Sequence, residues 1–484
     1  MSDTTPIKFG TDGWRAIIAE DFTFENVRAC ARGTALYLQE RGLASRGLVV
    51  GYDTRFSSEH FAAAVAEVVA ASGVPVYLCE RAAPTPVVSY SIVAQKAGGA
   101  AIITASHNPG IWNGYKYKPE YAGSASPEVV ARLEQLIAAA RAGGPIPRMP
   151  LSEAEASGRV RRIDPEGPYM EHVARLVDLE RIRKAGLRVE VDPMYGAGAG
   201  YLRKLLAHDA SGLAGGATRV HELHGERNPI FPGMRQPEPI ADNLHDLCKA
   251  VVRRKADVGL ATDGDADRVG MVDENGVFLT SLQVFALLAL YMLEVRGERG
   301  AIVKSVTTTS MLYKLAQLYN VPIFETPVGF KYIGPIMERE KALIGGEESG
   351  GFGFRGHIPE RDGVLASLFL LDLMVRTGKS PAKLIEYLYG KVGPHHYKRI
   401  DLPFDATRRD SVVRRVSDSR PSALDGVKVA TTDTTDGFRF VLEDGAWLLI
   451  RFSGTEPLLR IYGEGPSPER VERLLDAGRK MTGV

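Results

Sequence analysis

The stretch Gly47-Leu-Val-Val-Gly-Tyr-Asp53 decides the fold class of this chain. Its apolar residues form a short run that ends at an acidic residue, which is typical of a buried strand. The next stretch, residues 58–72, is rich in Ala and Val and is followed by Gly73, so it predicts a helix. Residues 74–79 predict a second strand. A strand, a helix and a strand at this spacing predict a right-handed crossover and a mainly parallel sheet.

The same alternation continues outward from this unit over most of the chain. A second α/β unit begins with a strand at residues 187–192, and a third begins with a helix at residues 281–296. Between the first two units, the Pro-, Ser- and Arg-containing residues 145–167 predict a linker. The tail from about Gly393 mixes short strands and helices. We therefore predict an α/β fold of three successive mixed or parallel units, followed by an α+β ending.

The composition limits the class of partner and the compartment. The 484 residues include 60 Lys and Arg and 59 Asp and Glu, so a net charge of +1 gives no chain-wide basic field for nucleic acid or an anionic membrane. Three cysteines lie far apart, which indicates a reducing compartment. The most apolar stretch, residues 284–295, is too short to span a bilayer, and the first ten residues lack a signal pattern. We expect a cytoplasmic protein without nucleic-acid or membrane partners.

The sharpest local motif is Thr262-Asp-Gly-Asp-Ala-Asp-Arg268, in which an Asp stands at every second position. Asp263, Asp265 and Asp267 can direct three carboxylates to one point, as a hard divalent cation requires. An EF-hand loop is excluded because its sixth position, which needs Gly, is Arg268. A solvated acidic turn is the other interpretation, but acids this close repel one another unless a cation compensates them. The motif predicts a metal site, and Arg268 suits a phosphate that bridges to the metal.

A second polar motif, Thr104-Ala-Ser-His-Asn-Pro109, follows a predicted strand of the first unit. The carboxyl end of a parallel strand is where such folds assemble sites. Ser106 and His107 could act as nucleophile and base, although the motif taken alone is more typical of a polar turn. The turn Asn113-Gly-Tyr-Lys116 follows closely and could aim its lysine back at Ser106.

Three further loops carry donors or acceptors for a phosphorylated sugar. Arg451-Phe-Ser-Gly-Thr-Glu-Pro457 combines a guanidinium, two hydroxyls and backbone N–H groups, which suits a phosphate, but a polar β-turn fits it equally. Residues 345–351 form an acidic, Gly-bracketed loop that could accept hydrogen bonds from sugar hydroxyls, or a flexible hairpin. His357 and Arg361 add donors for a phosphate, or belong to a charged loop before a helix.

Two nucleotide-binding patterns are missing from the sequence. Gly196-Ala-Gly-Ala-Gly200 lacks the spacing of a dinucleotide fingerprint, so it predicts tight packing of a strand and a helix. No Walker A sequence occurs, so ATP-dependent phosphoryl transfer lacks its usual cradle.

Five motifs in this order resemble the α-D-phosphohexomutase superfamily, the phosphoglucomutases and phosphomannomutases. Four are the stretches 104–109, 263–268, 345–351 and 451–457, and the fifth is Gly10-Thr-Asp-Gly-Trp-Arg15. The resemblance covers nearly the whole chain and implies four domains around one central cleft. Their expected bounds are 1–150 with the serine loop, 168–274 with the metal loop, 275–390 with the sugar-binding loop and 391–484 with the phosphate-binding loop.

The resemblance also implies how the phosphoryl group is held. Ser106 would carry it, and Ser106, Asp263, Asp265 and Asp267 would be the ligands of one Mg²⁺ per chain. A phosphoserine carries close to two negative charges, so Arg15 would also face it.

The same resemblance assigns the remaining site residues. Lys116, preferred over His107, would be the general acid or base for the reacting hydroxyl. The sugar and its second phosphate would be bound by a larger set: Arg268, Thr326, Gly329, Lys331, Glu347, Ser349, His357, Arg361, Arg451, Ser453, Gly454 and Thr455.

The implied reaction is an isomerisation by intramolecular phosphotransfer. A phosphoserine enzyme would interconvert hexose 1-phosphate and hexose 6-phosphate, with glucose 1,6-bisphosphate as intermediate and activator. Glucose is the expected sugar because Thr326-Pro-Val-Gly-Phe-Lys331 resembles a stretch of glucose-type mutases. The pair Gly350-Gly351 and the opening Gly10-Thr-Asp-Gly13 depart from that pattern, so phosphomannomutase and phosphoglucosamine mutase stay open.

Two other functions are also open. A glucose 1,6-bisphosphate synthase would retain the same residues and release the bisphosphate. A non-catalytic sugar-phosphate binding protein would not need Ser106, the three Asp residues and Lys116, which argues against it. Hexose phosphates are the expected partners, and the chain is expected to be a monomer or a homodimer.

Overall fold

The computed structural model describes residues 6–207, 218–403, 406–452 and 458–483. Within these ranges four β-sheets follow one another along the chain, and each forms a domain with its helices. The first three sheets mix parallel and antiparallel pairs, whereas the fourth is antiparallel. The predicted fold class, three α/β domains and a smaller C-terminal α+β domain, is confirmed. None of the described helices has the length and apolar character needed to cross a membrane.

Domain I is built on the opening sequence stretch. Its elements are β1 (Trp14–Ile17), α1 (Phe24–Glu40), β2 (Leu48–Tyr52), α2 (Ser58–Ala71), β3 (Val76–Cys79), α3 (Thr85–Gln95), β4 (Gly99–Ile103), β5 (Trp112–Pro119), α4 (Pro127–Ala142), α5 (Leu151–Ala156) and β6 (Val160–Ile163). The sheet order is β1-β5-β4-β2-β3-β6. β2 pairs in parallel with β3 and β4, as the crossover predicts. Ser126 caps α4 by accepting from the Val129 N–H, and Pro127 occupies the first turn.

The stretch predicted as a linker belongs to this sheet. β6 pairs in parallel with β3. Val160 and Ile163 are buried, while Arg161 and Arg162 between them are exposed. The linker prediction is therefore wrong, and the sheet of domain I continues past residue 150.

Domain II surrounds the predicted metal motif. Its elements are α6 (Glu166–Leu176), α7 (Leu179–Lys184), β7 (Arg188–Asp192), α8 (Tyr201–Leu206), β8 (Arg219–Glu222), α9 (His245–Arg254), β9 (Val258–Thr262), β10 (Val269–Val272) and β11 (Phe278–Leu279). The sheet order is β11-β10-β9-β7-β8. β9 and β10 are antiparallel, with Thr262 opposite Val269. The metal motif is therefore the turn of a hairpin.

Domain III begins at the third predicted unit. Its elements are α10 (Ser281–Leu290) with a π-helical continuation (Tyr291–Val295), β12 (Ile302–Ser305), α11 (Met311–Leu318), β13 (Ile323–Thr326), α12 (Phe330–Glu340), β14 (Ile344–Gly346), β15 (Phe352–Phe354), α13 (Gly363–Thr377) and α14 (Pro381–Val392). The sheet order is β13-β12-β14-β15. Thr280 and Gln283 form a capping box at the start of α10.

Domain IV is smaller and has its own apolar core. Its elements are β16 (His396–Pro403), α15 (Arg409–Ser419), β17 (Ala423–Leu424), β18 (Val427–Asp433), β19 (Phe438–Leu442), β20 (Trp447–Phe452), β21 (Leu458–Gly465) and α16 (Pro468–Thr482). The sheet order is β16-β21-β20-β19-β18-β17. Val306 of domain III packs in one cluster with Trp447, Leu449 and Tyr462 of domain IV.

Domains I to III share one apolar core, and this fixes their relative positions. It contains Ile92 of α3, Tyr169 of α6, Leu205 of α8 and Phe369 of α13, all buried. Because this core crosses the domain boundaries, separating the domains would expose it to water. The loops at the ends of the three sheets are therefore held together.

The predicted motifs follow strand ends in each of these domains. β4 ends shortly before Ser106, β9 ends directly before Asp263, and β14 ends directly before Glu347. Loops at carboxyl ends of strands are where α/β folds place ligands. The topology thus brings motifs from three domains to one place.

We predict that Ile163→Ala destabilises the protein by about 2–4 kcal/mol, because it removes a buried side chain from β6. Arg162→Ala is the matched control on the same strand, since its side chain is half-exposed and makes a surface ion pair with Glu155. The control is expected to cost less than about 1 kcal/mol. Urea unfolding measures both. Equal stability of the two variants would contradict the assignment of β6 to the core.

Candidate active site

Ser106 lies at the contact between domains I and II. It is fully buried, and its backbone is in the left-handed region with a φ of 53°. The Ser106 N–H donates to Thr104 Oγ1 (2.9 Å), and the Ser106 hydroxyl donates to Asp263 Oδ2 (2.8 Å). Gly264 lets the two loops touch, because a Cβ there would collide with Ser106 O. The structure thus joins the predicted serine loop to the predicted metal loop.

The three Asp residues of the metal loop form one cluster. Asp263, Asp265 and Asp267 are buried, and each offers an oxygen within 4.8 Å of the others. Burial and the other two carboxylates raise the pKa of Asp263 well above its usual value. In the described part of the chain, Asp265 Oδ1 and Asp267 Oδ1 have no hydrogen-bond partner. Unpaired buried carboxylate oxygens are costly, and oxygen ligands suit Mg²⁺. The residues therefore fit a divalent cation.

Neighbouring segments hold the metal loop in place. The Thr85 hydroxyl at the start of α3 donates to Asp265 Oδ2 (2.5 Å). The Ala197 N–H donates to Gly264 O (2.9 Å). The glycine-rich segment 196–200 therefore packs against the metal loop, which is a structural use of its small residues.

Lys116 on β5 supplies a positive charge to this cluster. Its Nζ lies 2.9 Å from Asp12 Oδ2, 2.8 Å from Asp265 Oδ2 and 3.3 Å from Asp267 Oδ2. Burial alone would lower the pKa of Lys116, but the three carboxylates raise it above its usual value. The predicted turn does bring Lys116 to the catalytic centre. Its ammonium contacts Asp265 and Asp267 of the triad. Among the residues described, no hydrogen bond joins it to Ser106.

His107 and Arg15 also lie near Ser106. His107 Nδ1 lies 3.3 Å from Ser106 Oγ. Burial and the cations Arg268 and Arg15 lower the pKa of His107 well below its usual value, so its ring is neutral near pH 7. Arg15 Nη1 donates to Asn108 Oδ1 (2.6 Å). Both predicted residues are therefore next to the serine loop.

Arg268 lies beside the triad, and its positive charge faces both Glu238 and Asp263. Its Nη1 donates to Glu238 Oε1 (2.8 Å), and its Nε lies 4.0 Å from Asp263 Oδ2. Burial alone would lower the pKa of Arg268, but Glu238 and Asp263 raise it. This guanidinium can contact a phosphate next to the metal site.

Arg361 connects three domains. Its Nη2 lies 2.6 Å from Asp12 Oδ2 and 2.9 Å from Asp267 Oδ2, and its Nη1 lies 3.6 Å from Glu347 Oε2. These carboxylates belong to domains I, II and III. The prediction placed Arg361 among the substrate-binding residues, and in this structure its guanidinium is neutralised by acidic partners.

The acidic loop of domain III faces this network. Burial raises the pKa of Glu347, although Arg361 and Arg268 act in the opposite direction. Ser349 is half-buried on the same loop. Glu348 between them points to domain IV, where it accepts from the Tyr397 hydroxyl (2.8 Å) and Arg399 Nη1 (3.0 Å).

The segment from the end of β13 to the first turn of α12, which contains Thr326, Gly329 and Lys331, approaches domain I. Gly329 has a φ of 131°, and a Cβ there would lie 3.0 Å from Thr11 Cγ2. Thr326 is buried, with its hydroxyl donating to Pro327 O (2.8 Å). Lys331 is half-buried, and its Nζ lies 5.3 Å from the centre of the Tyr332 ring.

Arg451 is the described member of the predicted phosphate-binding loop. Its Nε lies 2.9 Å from Asp436 Oδ1, and Asp436 Oδ2 accepts from the Val328 N–H (2.9 Å). Asp436 therefore joins this arginine of domain IV to the loop of domain III. Ser453, Gly454 and Thr455 lie outside the described residues.

His357 packs against domain II. Its side chain has no exposed surface, and its Nε2 lies 3.0 Å from Asp362 Oδ2. Its Nδ1 lies 3.1 Å from His172 Nε2, and the two rings are stacked. In this structure the ring of His357 is enclosed by these neighbours, and its substrate-binding role stays a prediction.

Several residues of the site were not predicted. They are Asp12, Arg55, Thr85, Lys118, Glu238, Glu360 and Asp436. The four acids among them pair with a predicted lysine or arginine, Arg55 and Lys118 pair with acids that were not predicted, and Thr85 donates to Asp265. Asp12 stands inside the motif that ends at Arg15, so its motif position was an available signal. Arg55 follows β2, and its strand-end position was another.

Four family models match the chain in order. They are the phosphoglucomutase/phosphomannomutase alpha/beta/alpha domains I (residues 6–143), II (167–276) and III (280–392) and the C-terminal domain (412–480).

Similar proteins cover almost the whole chain. The "Phosphoglucomutase/phosphomannomutase" of Thermococcus kodakarensis is 32% identical over 473 residues, 98% of each chain. The "Probable phosphoglucosamine mutase" of Pyrococcus abyssi is 31% identical and covers 98% of this chain and 97% of its own. A crystal structure of a "putative phosphomannomutase" from Thermus thermophilus has a TM-score of 0.85 and 36% identity over 99% of this chain and 100% of its own.

These matches agree with the geometry of the site. The chain belongs to the phosphoglucomutase/phosphomannomutase family of phosphohexomutases, which are isomerases that act as intramolecular phosphotransferases on hexose phosphates.

Proposed function

We propose that the protein interconverts hexose 1-phosphate and hexose 6-phosphate through a phosphoserine at Ser106 and a hexose 1,6-bisphosphate. The observation that carries this proposal is the contact of the Ser106 hydroxyl with Asp263 Oδ2 at 2.8 Å, beside a buried carboxylate triad. A nucleophile against three metal-ligating carboxylates, with arginines beside it, suits phosphoryl transfer. A protein that only binds sugar phosphates has no need of such a nucleophile.

The reaction that we propose has two transfers. In the first, the bond between phosphorus and Ser106 Oγ breaks, and phosphorus bonds to the free hydroxyl oxygen of the hexose monophosphate. The hydroxyl loses its proton, and Ser106 Oγ gains one. In the second transfer the bond between the other phosphorus and its sugar oxygen breaks, and that phosphorus bonds to Ser106 Oγ. The Ser106 hydroxyl loses its proton and the sugar oxygen gains one, which restores the phosphoserine and leaves the isomeric monophosphate.

The triad would hold Mg²⁺ with Ser106 as the fourth protein ligand. When bound, the cation would neutralise part of the phosphoryl charge. Lys116 is the proposed proton donor and acceptor because it follows Asn113-Gly114 as its family counterpart does, and its Nζ lies beside the triad. His107, with Nδ1 at 3.3 Å from Ser106 Oγ, is the second candidate.

The substrate would be held at its two ends. Glu347 and Ser349 are proposed to accept and donate hydrogen bonds to sugar hydroxyls. Arg451 and Lys331 are proposed to bind the phosphate that is not transferred, together with Ser453, Gly454 and Thr455. Lys331 suits this role because its side chain is only half-buried and its ammonium lies near an aromatic ring.

We propose glucose phosphates as the preferred substrates because residues 326–331 resemble a stretch of glucose-type mutases. Phosphoglucosamine mutase is the second candidate, since relatives that are 31% identical carry that name, and phosphomannomutase is a further candidate, since other similar proteins carry that name.

We predict that Ser106→Ala keeps the fold and lowers turnover by at least about 1,000-fold, because it removes the phosphoryl carrier. Ser91→Ala is the matched control, since Ser91 is also buried and its hydroxyl donates only to Val87 O of the same helix. A coupled assay with glucose 1-phosphate measures turnover, and mass spectrometry of the purified wild type measures phosphate on Ser106. Full activity of Ser106→Ala would contradict the proposal. Bisphosphate that accumulates as the end product would indicate a synthase.

We predict that chelation abolishes activity and that Mg²⁺ restores it. Asp267→Asn should weaken the apparent Mg²⁺ affinity by at least about tenfold, because it removes a ligand charge and an unpaired oxygen. Asp257→Asn is the control, since Asp257 lies at the other end of β9 and binds the Arg188 N–H (2.7 Å). Activity and melting temperature are measured against Mg²⁺ concentration. A half-saturating concentration in Asp267→Asn equal to that of the control would exclude the triad as the metal site.

We predict that glucose 1-phosphate gives a higher kcat/KM than mannose 1-phosphate or glucosamine 1-phosphate. The physical reason is that a site built to hydrogen-bond one sugar hydroxyl leaves polar groups unpaired with another sugar. The panel is measured at one Mg²⁺ concentration and pH. A higher kcat/KM for glucosamine 1-phosphate would assign the protein to the second candidate.

A further inference from the structure

Arg55 is a fully buried arginine in the loop after β2. Its side chain has no exposed surface, and one ion pair neutralises it, to Asp53 Oδ2 at 3.2 Å from Nε. The ring of Phe231 covers it, with its centre 5.0 Å from the Arg55 guanidinium carbon. A guanidinium placed in this way is costly to bury unless its other donors are also used.

Those donors go to the backbone of the serine loop. Nη2 donates to Ser106 O (2.7 Å) and Asn108 O (2.5 Å). Nη1 donates to Pro109 O (2.9 Å) and Trp112 O (3.0 Å). Only a planar fork can reach four carbonyls of one loop at once, and a lysine ammonium has neither the donors nor the shape.

The contact with Ser106 O fixes the residue that carries the chemistry. The peptide between Ser106 and His107 is planar, so holding its carbonyl also fixes the direction of the His107 N–H. Ser106 adopts a left-handed φ of 53°, a conformation that a serine keeps only when its surroundings enforce it. Arg55 stabilises this conformation by donating to the Ser106 carbonyl, and Thr104 stabilises it by accepting from the Ser106 N–H.

Domain II holds Arg55 in turn. Arg227 Nη2 donates to Arg55 O (3.0 Å), and Arg227 Nε donates to Thr54 O (2.9 Å). The Thr54 hydroxyl donates to Tyr195 O (2.9 Å). The same segment therefore connects the serine loop of domain I to the domain that carries the metal loop.

We propose that Arg55 is a positioning residue for phosphoryl transfer, which sets the serine loop so that Ser106 Oγ faces the metal triad. This inference rests on the proposed function for its kinetic consequence, but the loop geometry does not depend on it. Arg55 touches no reacting atom and acts through the carbonyls of residues 106–112.

The test replaces Arg55 by Lys, which keeps the charge and loses the fork. Arg55→Lys should lower kcat by about 100-fold, because a shift of about 1 Å in a reacting group has an effect of that size. KM for the hexose phosphate should change less than about threefold, since the substrate-binding loops are untouched. Hydrogen exchange of residues 104–112 should become faster, while that of α2 stays as in the wild type.

Arg183→Met is the control for loss of a guanidinium that binds a backbone carbonyl. Its Nε and Nη2 donate to Leu205 O in domain II, away from the serine loop. This variant should keep the kcat of the wild type even where its melting temperature falls. If Arg55→Lys does not fold, Asp53→Asn is measured in its place. Asparagine keeps the shape of the Asp53 side chain and removes the counter-ion of Arg55. It should lower kcat at unchanged KM and speed exchange of the same loop.

The outcomes separate the two proposals. A kcat within about twofold of the wild type, or a loss in KM alone, would overturn the positioning role. Unchanged exchange of residues 104–112 would also overturn it. If the wild type lacks mutase turnover but the loop exchanges faster in Arg55→Lys, the proposed function fails while the structural role of Arg55 holds.

Discussion

Compensation of buried charge is the constraint on which the rest of this structure depends. Asp263, Asp265 and Asp267 are carried by one hairpin turn and are fully buried. Like charges so close in a dry environment repel strongly, and burial of each is costly on its own. Arg268 of the same motif lies near two of them, and two further cations come from other domains, Lys116 from domain I and Arg361 from domain III. The convergence of the domains, which the shared apolar core also stabilises, therefore brings compensating charge to the metal loop.

The same constraint explains why the residues around the site are paired across domain boundaries. Asp12 of domain I forms ion pairs with both Lys116 and Arg361. Burial alone would raise the pKa of Asp12, but these cations outweigh it, so the pKa stays well below its usual value. Asp436 of domain IV binds Arg451 and the Val328 N–H of domain III. Each carboxylate thus fixes a cation and a neighbouring loop together. A change in one such pair alters the position of two loops, which is how four domains can present one site.

The sequence predicted what depends on local pattern. The strand and helix alternation and the positions of Ser106 and Asp263 after strand ends follow from residues that are close in the chain. The linker prediction failed because β6 is short and its two buried residues are separated by two arginines, a pattern that resembles a polar loop. Arg55 was missed because its partners are carbonyls about fifty residues away, which no side-chain pattern records. The contact of His357 with His172 was not foreseen because sequence does not tell which face of a loop is covered by another domain.

The near-neutral net charge of the chain has a local counterpart at the site, where the arginines are paired with neighbouring side chains. Three arginines that face the proposed substrate are already engaged, Arg268 with Glu238 (2.8 Å), Arg451 with Asp436 (2.9 Å) and Arg15 with Asn108 (2.6 Å). A phosphate that binds such a guanidinium exchanges one acceptor for another, so the net gain in free energy is smaller than for an unpaired cation. The proposed reaction needs this moderation, because the bisphosphate must release each end in turn before its other phosphoryl group can reach Ser106. Paired arginines let an anion be recognised by geometry without being held too tightly to turn over.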